Sequence, residues 1–279
     1  MLKKVYVEIT NICNLSCPFC HGTKRQPRIM SANEFAAVAE KLRGVTDYVY
    51  LHVLGEPLAH PELREILSLA ASAGFNVCIT TNGTLLKKRA DLLMNADKLY
   101  KLSVSLHSFE ANSPEADPTE YLDSVWSVCE ALAARGTICS LRLWNGGGGS
   151  NRRNGAMIGH LCRRAGVSEP LPARKGMLIK ENIYLELADE FEWPDLDAGE
   201  KSVEFCYGLR DQIGILSDGT VVPCCLDADG ELALGNIFES ELADILTGRR
   251  ARSIYDGFSA RRPNEELCRR CGYAARFSR

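Results

Sequence analysis

Three cysteines lie within eight residues near the start of the chain, in the stretch CNLSCPFC. They are Cys13, Cys17 and Cys20, with the spacing C-x3-C-x2-C. A structural zinc site uses four ligands, and a cubane iron–sulfur cluster has four iron corners held by thiolates. Three thiols therefore leave one corner free for another molecule. The spacing predicts a metal centre with an open coordination position.

A second group of cysteines occupies the last quarter of the chain. Cys206 precedes a predicted hairpin, Cys224 and Cys225 end it, and Cys268 and Cys271 form a C-x2-C pair. Two alternatives stay open for these thiols: a second iron–sulfur cluster, or a structural zinc held by four thiolates. By spacing, Cys224 is the expected ligand rather than Cys225. The four remaining cysteines stand singly and are expected to be small buried hydrophobes: Cys78, Cys129, Cys139 and Cys162.

The composition is that of an ordinary globular protein. Of 279 residues, 46% are hydrophobic and 25% charged, and the net charge of −3 gives no general attraction to nucleic acid or to anionic membranes. No apolar run approaches the roughly 20 residues of a membrane-spanning helix. The first residues, MLKKVYVEIT, predict a strand and show no signal peptide. We therefore expect a cytoplasmic location, where clustered cysteines favour metal binding over disulfides.

Strand and helix patterns alternate about six times over the first 190 residues. This alternation predicts parallel strands joined by crossover helices. Eight such units need about 250 residues, so six units predict a partial (β/α)6 TIM-like barrel. Active sites in such barrels lie where the strands end, and the three-cysteine loop follows the first strand. The predicted strands are KKVYVEIT, DYVYLHVLG, FNVCIT, KLYKLSVSLHS, TICSLRLW and ENIYLELA.

Several helices and one domain boundary are also predicted. Ser31 is expected to cap the helix in SANEFAAVAEKLRG, whose buried face is Phe35, Val38, Ala39 and Leu42. Asn145 to Gly155, rich in glycine, favours a flexible connection before a weaker helix over 156–165. From about Lys201 the pattern changes to a hairpin around SDGT, one helix in ESELADILTGRRARSIYDGF, and the stretch LCRRCGY. We expect a barrel domain over 1–200 and a small β-hairpin-plus-helix domain over 201–279. The other expected helices are HPELREILSLAASAG, LLKKRADLLMNA and DPTEYLDSVWSVCEALAARG.

The stretch CNLSCPFC, with an aromatic residue directly before its third cysteine, resembles the motif of the radical S-adenosylmethionine (radical SAM) superfamily. The resemblance implies that the three thiolates hold a 4Fe–4S cluster whose open iron binds S-adenosyl-L-methionine. It further implies that the reduced cluster cleaves this molecule to a 5′-deoxyadenosyl radical, which abstracts hydrogen from a substrate. By the same resemblance the cofactor contacts are Phe19, Gly55, Glu56 and Pro57 in GEP, Asn82 in TTNG, Ser105 and His107 in SVSLHS, and Arg142.

The tail resembles the SPASM domain and its shortened form, the twitch domain. This implies an auxiliary 4Fe–4S cluster held by Cys206, Cys224, Cys268 and Cys271. The layout is similar to that of the 2-deoxy-scyllo-inosamine dehydrogenases, which implies an oxidoreductase that passes a substrate electron to the auxiliary cluster. The expected partners are a small-molecule or peptide substrate and an electron donor such as flavodoxin or ferredoxin. The alternatives are a peptide-modifying maturase that crosslinks or epimerises its substrate, and a non-catalytic metal-cluster binding module.

Two further side chains are candidates for contacts in the barrel interior. Tyr6, Glu8 and Thr10 share one face of the first strand, so Glu8 is expected either to contact substrate or to be a structural hydrogen-bond partner. His52, on the second strand, is a candidate contact for substrate or cofactor.

Overall fold

The structure is a computed structural model that describes residues 1–148 and 151–277. Within these residues, eleven strands form one sheet with the order β11-β10-β9-β1-β2-β3-β4-β5-β8-β7-β6. The strands are β1 (Lys4–Val7), β2 (Tyr48–Tyr50), β3 (Asn76–Thr81), β4 (Leu99–Ser105), β5 (Ile138–Gly146), β6 (Leu171–Ala173), β7 (Gly176–Lys180), β8 (Ile183–Asp189), β9 (Gln212–Ile215), β10 (Thr220–Val222) and β11 (Gly235–Asn236).

Six of these strands form the predicted barrel wall. Strands β1, β2, β3, β4, β5 and β8 pair in that order, and every pair is parallel. The six strands are those expected from the sequence, and the partial α/β barrel is confirmed. Parallel strands place their carboxyl ends at one edge, so the loops that follow β1 to β4 meet there.

The helices follow the expected order. They are α1 (Ala32–Leu42), α2 (Leu63–Ser72), α3 (Leu86–Met94), α4 (His107–Asn112), α5 (Thr119–Ala133), α6 (Asn154–Ala165), α7 (Leu242–Thr247), α8 (Arg249–Ser259) and α9 (Glu266–Arg269), with 3₁₀ turns at Pro57–Ala59 and Ala274–Phe277. Helix α1 begins with the predicted Ser31 cap, which forms a capping box with Glu34. Its buried residues are the four predicted ones, Phe35, Val38, Ala39 and Leu42.

Four details differ from the sequence expectations. The strand predicted through Ser108 ends at Ser105, and α4 starts two residues later. The single helix predicted near the C-terminus is two helices, α7 and α8, because the chain is extended at Gly248. The ends of the predicted flexible connection belong to β5 and α6, while 149–150 lie outside the described residues. Strands β6 and β7 form an unpredicted antiparallel hairpin beside β8.

The predicted tail hairpin is confirmed, but it also extends the barrel sheet. Strands β9 and β10 pair antiparallel around the SDGT turn. Strand β9 then pairs in parallel with β1, from Lys4 opposite Gln212 to Val7 opposite Ile215. This pairing was not predictable from the sequence, because the paired residues Lys4 and Gln212 are 208 positions apart. The division into two domains near residue 201 stays a prediction.

The two faces of the barrel strands have different neighbours. On β1, Val5 and Val7 are buried in the main core with the helices, whereas Tyr6 belongs to a separate cluster on the opposite, inner face. None of the helices in 1–148 and 151–277 combines the length and apolarity needed to cross a bilayer.

Candidate metal centres and active site

The three-cysteine loop is held at both of its ends by the chain that returns from it. Thr10 pairs with Ile29 in an antiparallel bridge, and its hydroxyl donates to the carbonyl oxygen of Arg28 at 3.2 Å. The same hydroxyl oxygen accepts from the backbone N–H of Ile12 at 3.1 Å. The loop therefore leaves the carboxyl end of β1 and returns to α1 from a fixed base.

The cysteines of this loop line a cavity at the carboxyl edge of the barrel. Its volume is about 290 Å³. Cys13 and Cys20 are exposed and Cys17 is half-buried, and all three thiols are free. Of the predicted site residues, the cavity brings together Cys13, Cys17, Cys20, Phe19, His52, Gly55, Glu56, Asn82 and Ser105. It does not include Glu8, Pro57, His107 or Arg142 among its lining residues.

Two amide side chains donate hydrogen bonds to the loop thiols. Asn112 Nδ2 lies 3.0 Å from Cys17 Sγ, and Asn82 Nδ2 lies 3.8 Å from Cys13 Sγ. Burial raises the pKa of both thiols, and these amide bonds oppose that effect. Amide donors suit a sulfur that carries negative charge, as a metal-bound thiolate does. The loop therefore fits a cluster held by three cysteines.

The GEP segment joins the loops that follow β2 and β3. Glu56 accepts hydrogen bonds from the Thr81 hydroxyl at 2.8 Å, from the Asn82 backbone N–H at 2.8 Å, and from the Leu58 backbone N–H at 2.9 Å. Burial raises the pKa of its carboxyl group, and these three bonds oppose the rise. Pro57 is buried at the start of the following 3₁₀ turn. In this arrangement Glu56 fixes the position of Asn82 at the cavity wall.

Gly55 brings the GEP segment directly against the backbone that leads into the cysteine loop. Its φ is +75°, and a Cβ there would lie 2.3 Å from the carbonyl oxygen of Thr10 and 3.0 Å from that of Ile12. The backbone N–H of Glu56 also donates to the carbonyl oxygen of Ile12 at 3.0 Å. Only a residue without a side chain fits this contact.

His107 and Arg142 do not line the cavity, but His107 packs against Phe19, which does. The His107 ring centre is 4.8 Å from that of Phe19, and Nδ1 is 3.1 Å from the carbonyl oxygen of Arg142. Burial lowers the pKa of His107 to about 4. Arg142 Nε donates to Glu186 at 3.2 Å, and its guanidinium lies 4.6 Å from the centre of the Trp144 ring. Their predicted contacts with S-adenosylmethionine stay predictions.

Glu8 is fully paired inside the barrel. Both of its carboxylate oxygens are 2.7 Å from Arg25 Nη2, and they also accept from the backbone N–H groups of Leu54 and Ser217. These bonds favour the structural role over substrate contact. They also join the cysteine loop, β1 and the tail hairpin.

His52 differs from Glu8 because its buried Nδ1 has no hydrogen-bond partner among the described residues. Its ring packs edge-on to Tyr6 with a centroid distance of 5.5 Å. Burial lowers the pKa of His52 to about 3, with smaller contributions from the charges of Arg142 and Lys4. The imidazole is therefore neutral at physiological pH, and the residue lines the cavity while its Nδ1 is buried without a partner.

Four tail cysteines line a second, smaller cavity of about 30 Å³: Cys206, Cys224, Cys268 and Cys271. Burial raises the pKa of each of these thiols, and in three of them charges on neighbouring cysteines raise it further. No group of three or more His, Cys, Asp or Glu side chains in the described part of the chain is arranged to hold a single metal ion. A cubane cluster offers each thiolate a separate iron and does not require the sulfurs to converge on one point. The four thiols share one cavity, as the ligands of a common cluster would.

The two adjacent cysteines of the hairpin have different surroundings. Cys224 lies with the other three tail thiols. Cys225 instead packs on the inner barrel cluster, and its thiol interacts with the Tyr6 hydroxyl. Burial raises the pKa of Cys225 to about 11. The neighbours of Cys225 thus belong to the barrel rather than to the second cavity.

Further contacts between the loop and the later part of the chain were not expected from the sequence. Asp229 accepts from the Thr23 hydroxyl at 2.6 Å and from the Lys24 backbone N–H at 2.9 Å. Trp193 Nε1 donates to the carbonyl oxygen of Phe19 at 3.1 Å. These partners are 174 to 206 residues apart. Asp229, Trp193 and Asn112 lie in no recognisable motif, so sequence reasoning had no signal for them.

Known protein families match both cysteine regions. The Radical SAM superfamily matches residues 7–153, more than half of the chain. An iron–sulfur cluster-binding domain, SPASM, matches residues 206–272. These two families imply S-adenosylmethionine and iron–sulfur clusters as cofactors, which agrees with the two groups of thiols.

Curated relatives match only part of the chain. A probable GTP 3′,8-cyclase of Pyrobaculum aerophilum is 33% identical over 125 residues, which cover 43% of this chain and 37% of that protein. An AdoMet-dependent heme synthase of Methanosarcina barkeri is 30% identical over 109 residues, which cover 38% of this chain and 32% of that protein. The match thus spans about a third of the length of these relatives.

Solved structures match over nearly the whole chain. BtrN, crystallised in complex with AdoMet and 2-DOIA, has a TM-score of 0.64 at 17% identity, covering 97% of this chain and 93% of its own. Streptococcus suis SuiB, bound to S-adenosylmethionine, has a TM-score of 0.64 at 16% identity, covering 99% of this chain and 70% of its own. At these identities the likeness concerns the fold.

Proposed function

The chain belongs to the Radical SAM superfamily, and on that premise we propose that it is an oxidoreductase that removes two electrons from its substrate, the second through an auxiliary 4Fe–4S cluster. The observation that carries the proposal is the presence of two separate thiol groups with different surroundings. Cys13, Cys17 and Cys20 line a cavity of about 290 Å³, whereas the four tail thiols line a separate one of about 30 Å³. A cluster with an open corner suits the binding of S-adenosylmethionine, and a fully ligated one suits electron transfer.

When bound, the open cluster would supply the electron that cleaves S-adenosylmethionine, and the resulting radical would abstract hydrogen from the substrate. The residues of this chain hold and shield that chemistry. Glu56 and Gly55 fix the loops around the cavity, and Asn82 presents its amide to Cys13. Phe19 lines the cavity and packs against the His107 ring.

His52 is the group we propose for substrate binding. Its neutral ring lines the cavity, and its buried, unpartnered Nδ1 would gain a hydrogen-bond partner when the ring turns toward a substrate hydroxyl or amine. A substrate that bears such a group next to the carbon that loses hydrogen could bind His52 and react with the radical at the same time. This favours a small molecule with hydroxyl or amino groups, such as an aminocyclitol.

A peptide substrate is the second candidate. SuiB of Streptococcus suis was crystallised bound to the precursor peptide SuiA, with a TM-score of 0.60 and coverage of 99% of this chain. On this reading the protein would be a peptide-modifying maturase. In that case one side chain of the peptide, in place of a whole small molecule, would enter the cavity of about 290 Å³.

The proposal also includes an electron donor such as flavodoxin or ferredoxin. Arg249, Arg252 and Arg262 are exposed on α8 and the turn after it, near the tail thiols in sequence. An acidic donor would be attracted to this surface, and the attraction would weaken as salt screens it.

Iron and sulfide content after anoxic reconstitution tests the proposal. We expect about eight irons in the wild type and about four in the Cys13→Ala/Cys17→Ala/Cys20→Ala variant, since each cubane cluster holds four. We also expect 5′-deoxyadenosine to form under reducing, anoxic conditions in the wild type but not in this variant. About four irons falling to none, with zinc in the tail, would leave a radical enzyme without an auxiliary cluster. A protein that holds iron but forms no 5′-deoxyadenosine would instead be a binding module.

A further inference from the structure

The Asn112 side chain makes three hydrogen bonds, two of which connect helix α4 to the cysteine loop. Asn112 is the last residue of α4. Its Nδ2 donates to Cys17 Sγ at 3.0 Å and to the carbonyl oxygen of Ser108 at 2.8 Å, and its Oδ1 accepts from the backbone N–H of Ser16 at 3.0 Å. The side chain therefore touches both a predicted cluster ligand and the residue before it.

The neighbours of this amide determine which end faces the sulfur. The Ser16 N–H can only donate and the Ser108 carbonyl can only accept, so Oδ1 must face Ser16 and Nδ2 must face Ser108. The second hydrogen of Nδ2 is then directed at Cys17. A reversed amide would place two acceptors together at Ser108 and two donors together at Ser16.

The bond to Cys17 is the closer of the two amide contacts in the loop. Asn82 Nδ2 lies 3.8 Å from Cys13 Sγ and is shared with Asn14 Oδ1 at 3.0 Å. Asn112 is in addition held by a helix rather than by a loop alone. Its N–H is therefore preorganised toward one sulfur.

We propose that Asn112 is a positioning residue that raises the reduction potential of the cluster held by Cys13, Cys17 and Cys20. The inference rests on the proposed function, since it assumes that these thiolates hold a redox-active cluster. A reduced cluster carries one more negative charge than an oxidised one, and its sulfurs are stronger hydrogen-bond acceptors. An N–H donor therefore stabilises the reduced form more, and hydrogen bonds to sulfur are a known determinant of cluster potentials.

Three variants test this proposal: two at Asn112 and one matched control. They separate an effect on the reduction potential from the structural role of Asn112 in holding the loop. N112L has the same number of side-chain heavy atoms in the same branched arrangement but no polar atoms, and Ser16 is exposed, so water can take over its N–H. N112D keeps an acceptor for Ser16 and replaces the donor to Cys17 with a negative oxygen. N14D introduces the same charge within the loop, at a side chain that donates to Thr84 rather than to a cysteine.

The measurement is a redox titration of the anoxically reconstituted full chain, followed by electron paramagnetic resonance. Only a cluster with an open iron changes its signal when S-adenosylmethionine is added, so this change identifies the cluster to be titrated. We expect N112L to lower its midpoint potential by about 59 mV, which is a tenfold change in the reduced-to-oxidised ratio. N112D should lower it at least as far, and N14D by clearly less.

Each other outcome has a defined meaning. A wild type without a signal that responds to S-adenosylmethionine would overturn the proposed function itself. A responsive wild type with an unchanged midpoint in N112L, or equal shifts in N112D and N14D, would overturn only the role of Asn112. Loss of the cluster from both N112L and N112D would assign Asn112 to holding the loop and would likewise overturn potential tuning.

Discussion

Gly55→Ala should destabilise the protein more than Gly44→Ala, although both glycines have nearly the same positive φ angle. Their φ angles are +75° and +73°. A Cβ on Gly44 meets nothing within 4 Å, whereas a Cβ on Gly55 would lie 2.3 Å from the carbonyl oxygen of Thr10. The pair therefore separates the cost of the left-handed conformation from the cost of the close contact.

The two costs can be estimated separately. An alanine in the left-handed region costs about 1–2 kcal/mol, which applies to both variants. Forcing extra volume into a packed contact adds about 1–3 kcal/mol, which applies to Gly55→Ala alone. The obstacle there is backbone on both sides, the carbonyl oxygens of Thr10 and Ile12, so it cannot rotate away. The free energy of unfolding should fall by about 2–5 kcal/mol for Gly55→Ala and about 1–2 kcal/mol for Gly44→Ala.

Thermal unfolding of the apo protein measures this difference. A loss of 1 kcal/mol corresponds to a fall in Tm of about 2–4 °C in a chain of roughly this size. Because Thr10 and Ile12 lead directly into Cys13, Gly55→Ala should also lower the iron retained by the loop, and Gly44→Ala should not. Equal falls in Tm, with equal iron content, would refute the claim that GEP supports the loop by close backbone contact.

Three further predictions concern side chains of the site and the tail. Cys224→Ser should lose about four irons per chain while Cys225→Ser keeps them, because Cys224 and not Cys225 shares a cavity with the other tail thiols. Iron analysis after reconstitution measures this, and the reverse result would exchange the roles of the two cysteines. His52→Gln should reduce the loss of stability that accompanies a fall from about pH 6.5 to pH 3. Burial lowers the pKa of His52 in the folded protein to about 3, so the unfolded chain binds the proton first. The Tm of the wild type should therefore fall as pH falls through this window. An unchanged pH profile of Tm in His52→Gln would contradict this. Asp229→Asn should remove a contribution to folding stability that is present above the ordinary aspartate pKa and lost as pH falls through the lower folded pKa. Burial opposes that lowering of the pKa, but the hydrogen bonds from Thr23 and Lys24, together with His21, outweigh it. Wild type and Asp229→Asn should then differ in Tm at pH 7 but converge at strongly acidic pH, and a constant difference would argue against the pairing.

The elements of the barrel were predictable because local signals agree with the final packing. The first helix shows this well: Ser31 and Glu34 form a capping box, and the apolar spacing identifies its buried face. The order of the strands followed from their alternation with helices, since such units pair in parallel. The position of the cysteine loop followed in turn, because loops after parallel strands meet at one edge.

The contacts that complete the site were not predictable because they depend on tertiary distance. Glu8 shows the problem: its strand face was correct, but its bonds to Arg25 and to the backbone of Ser217 depend on how the loop and the tail fold back over β1. Asn112 lies in the short helix α4, for which the sequence predicts no element beyond the end of a strand. A single sequence contains no signal that connects residues 95 positions apart, such as Asn112 and Cys17.

The pairing of β9 with β1 determines which experiments can assign a role to the tail. Strand β1 hydrogen-bonds to β2 on one side and to β9 on the other, and the backbone N–H of Glu8 donates to the carbonyl oxygen of Ile215 at 2.8 Å. Removing residues 201–279 would expose the edge of the strand that leads to Cys13, and would also remove Asp229 from Thr23. Loss of activity in such a truncated chain would therefore follow from structure alone, whether or not the tail transfers electrons. Only substitutions that leave the backbone in place, such as serine at the four tail cysteines, can separate a supporting role from an electron-accepting one.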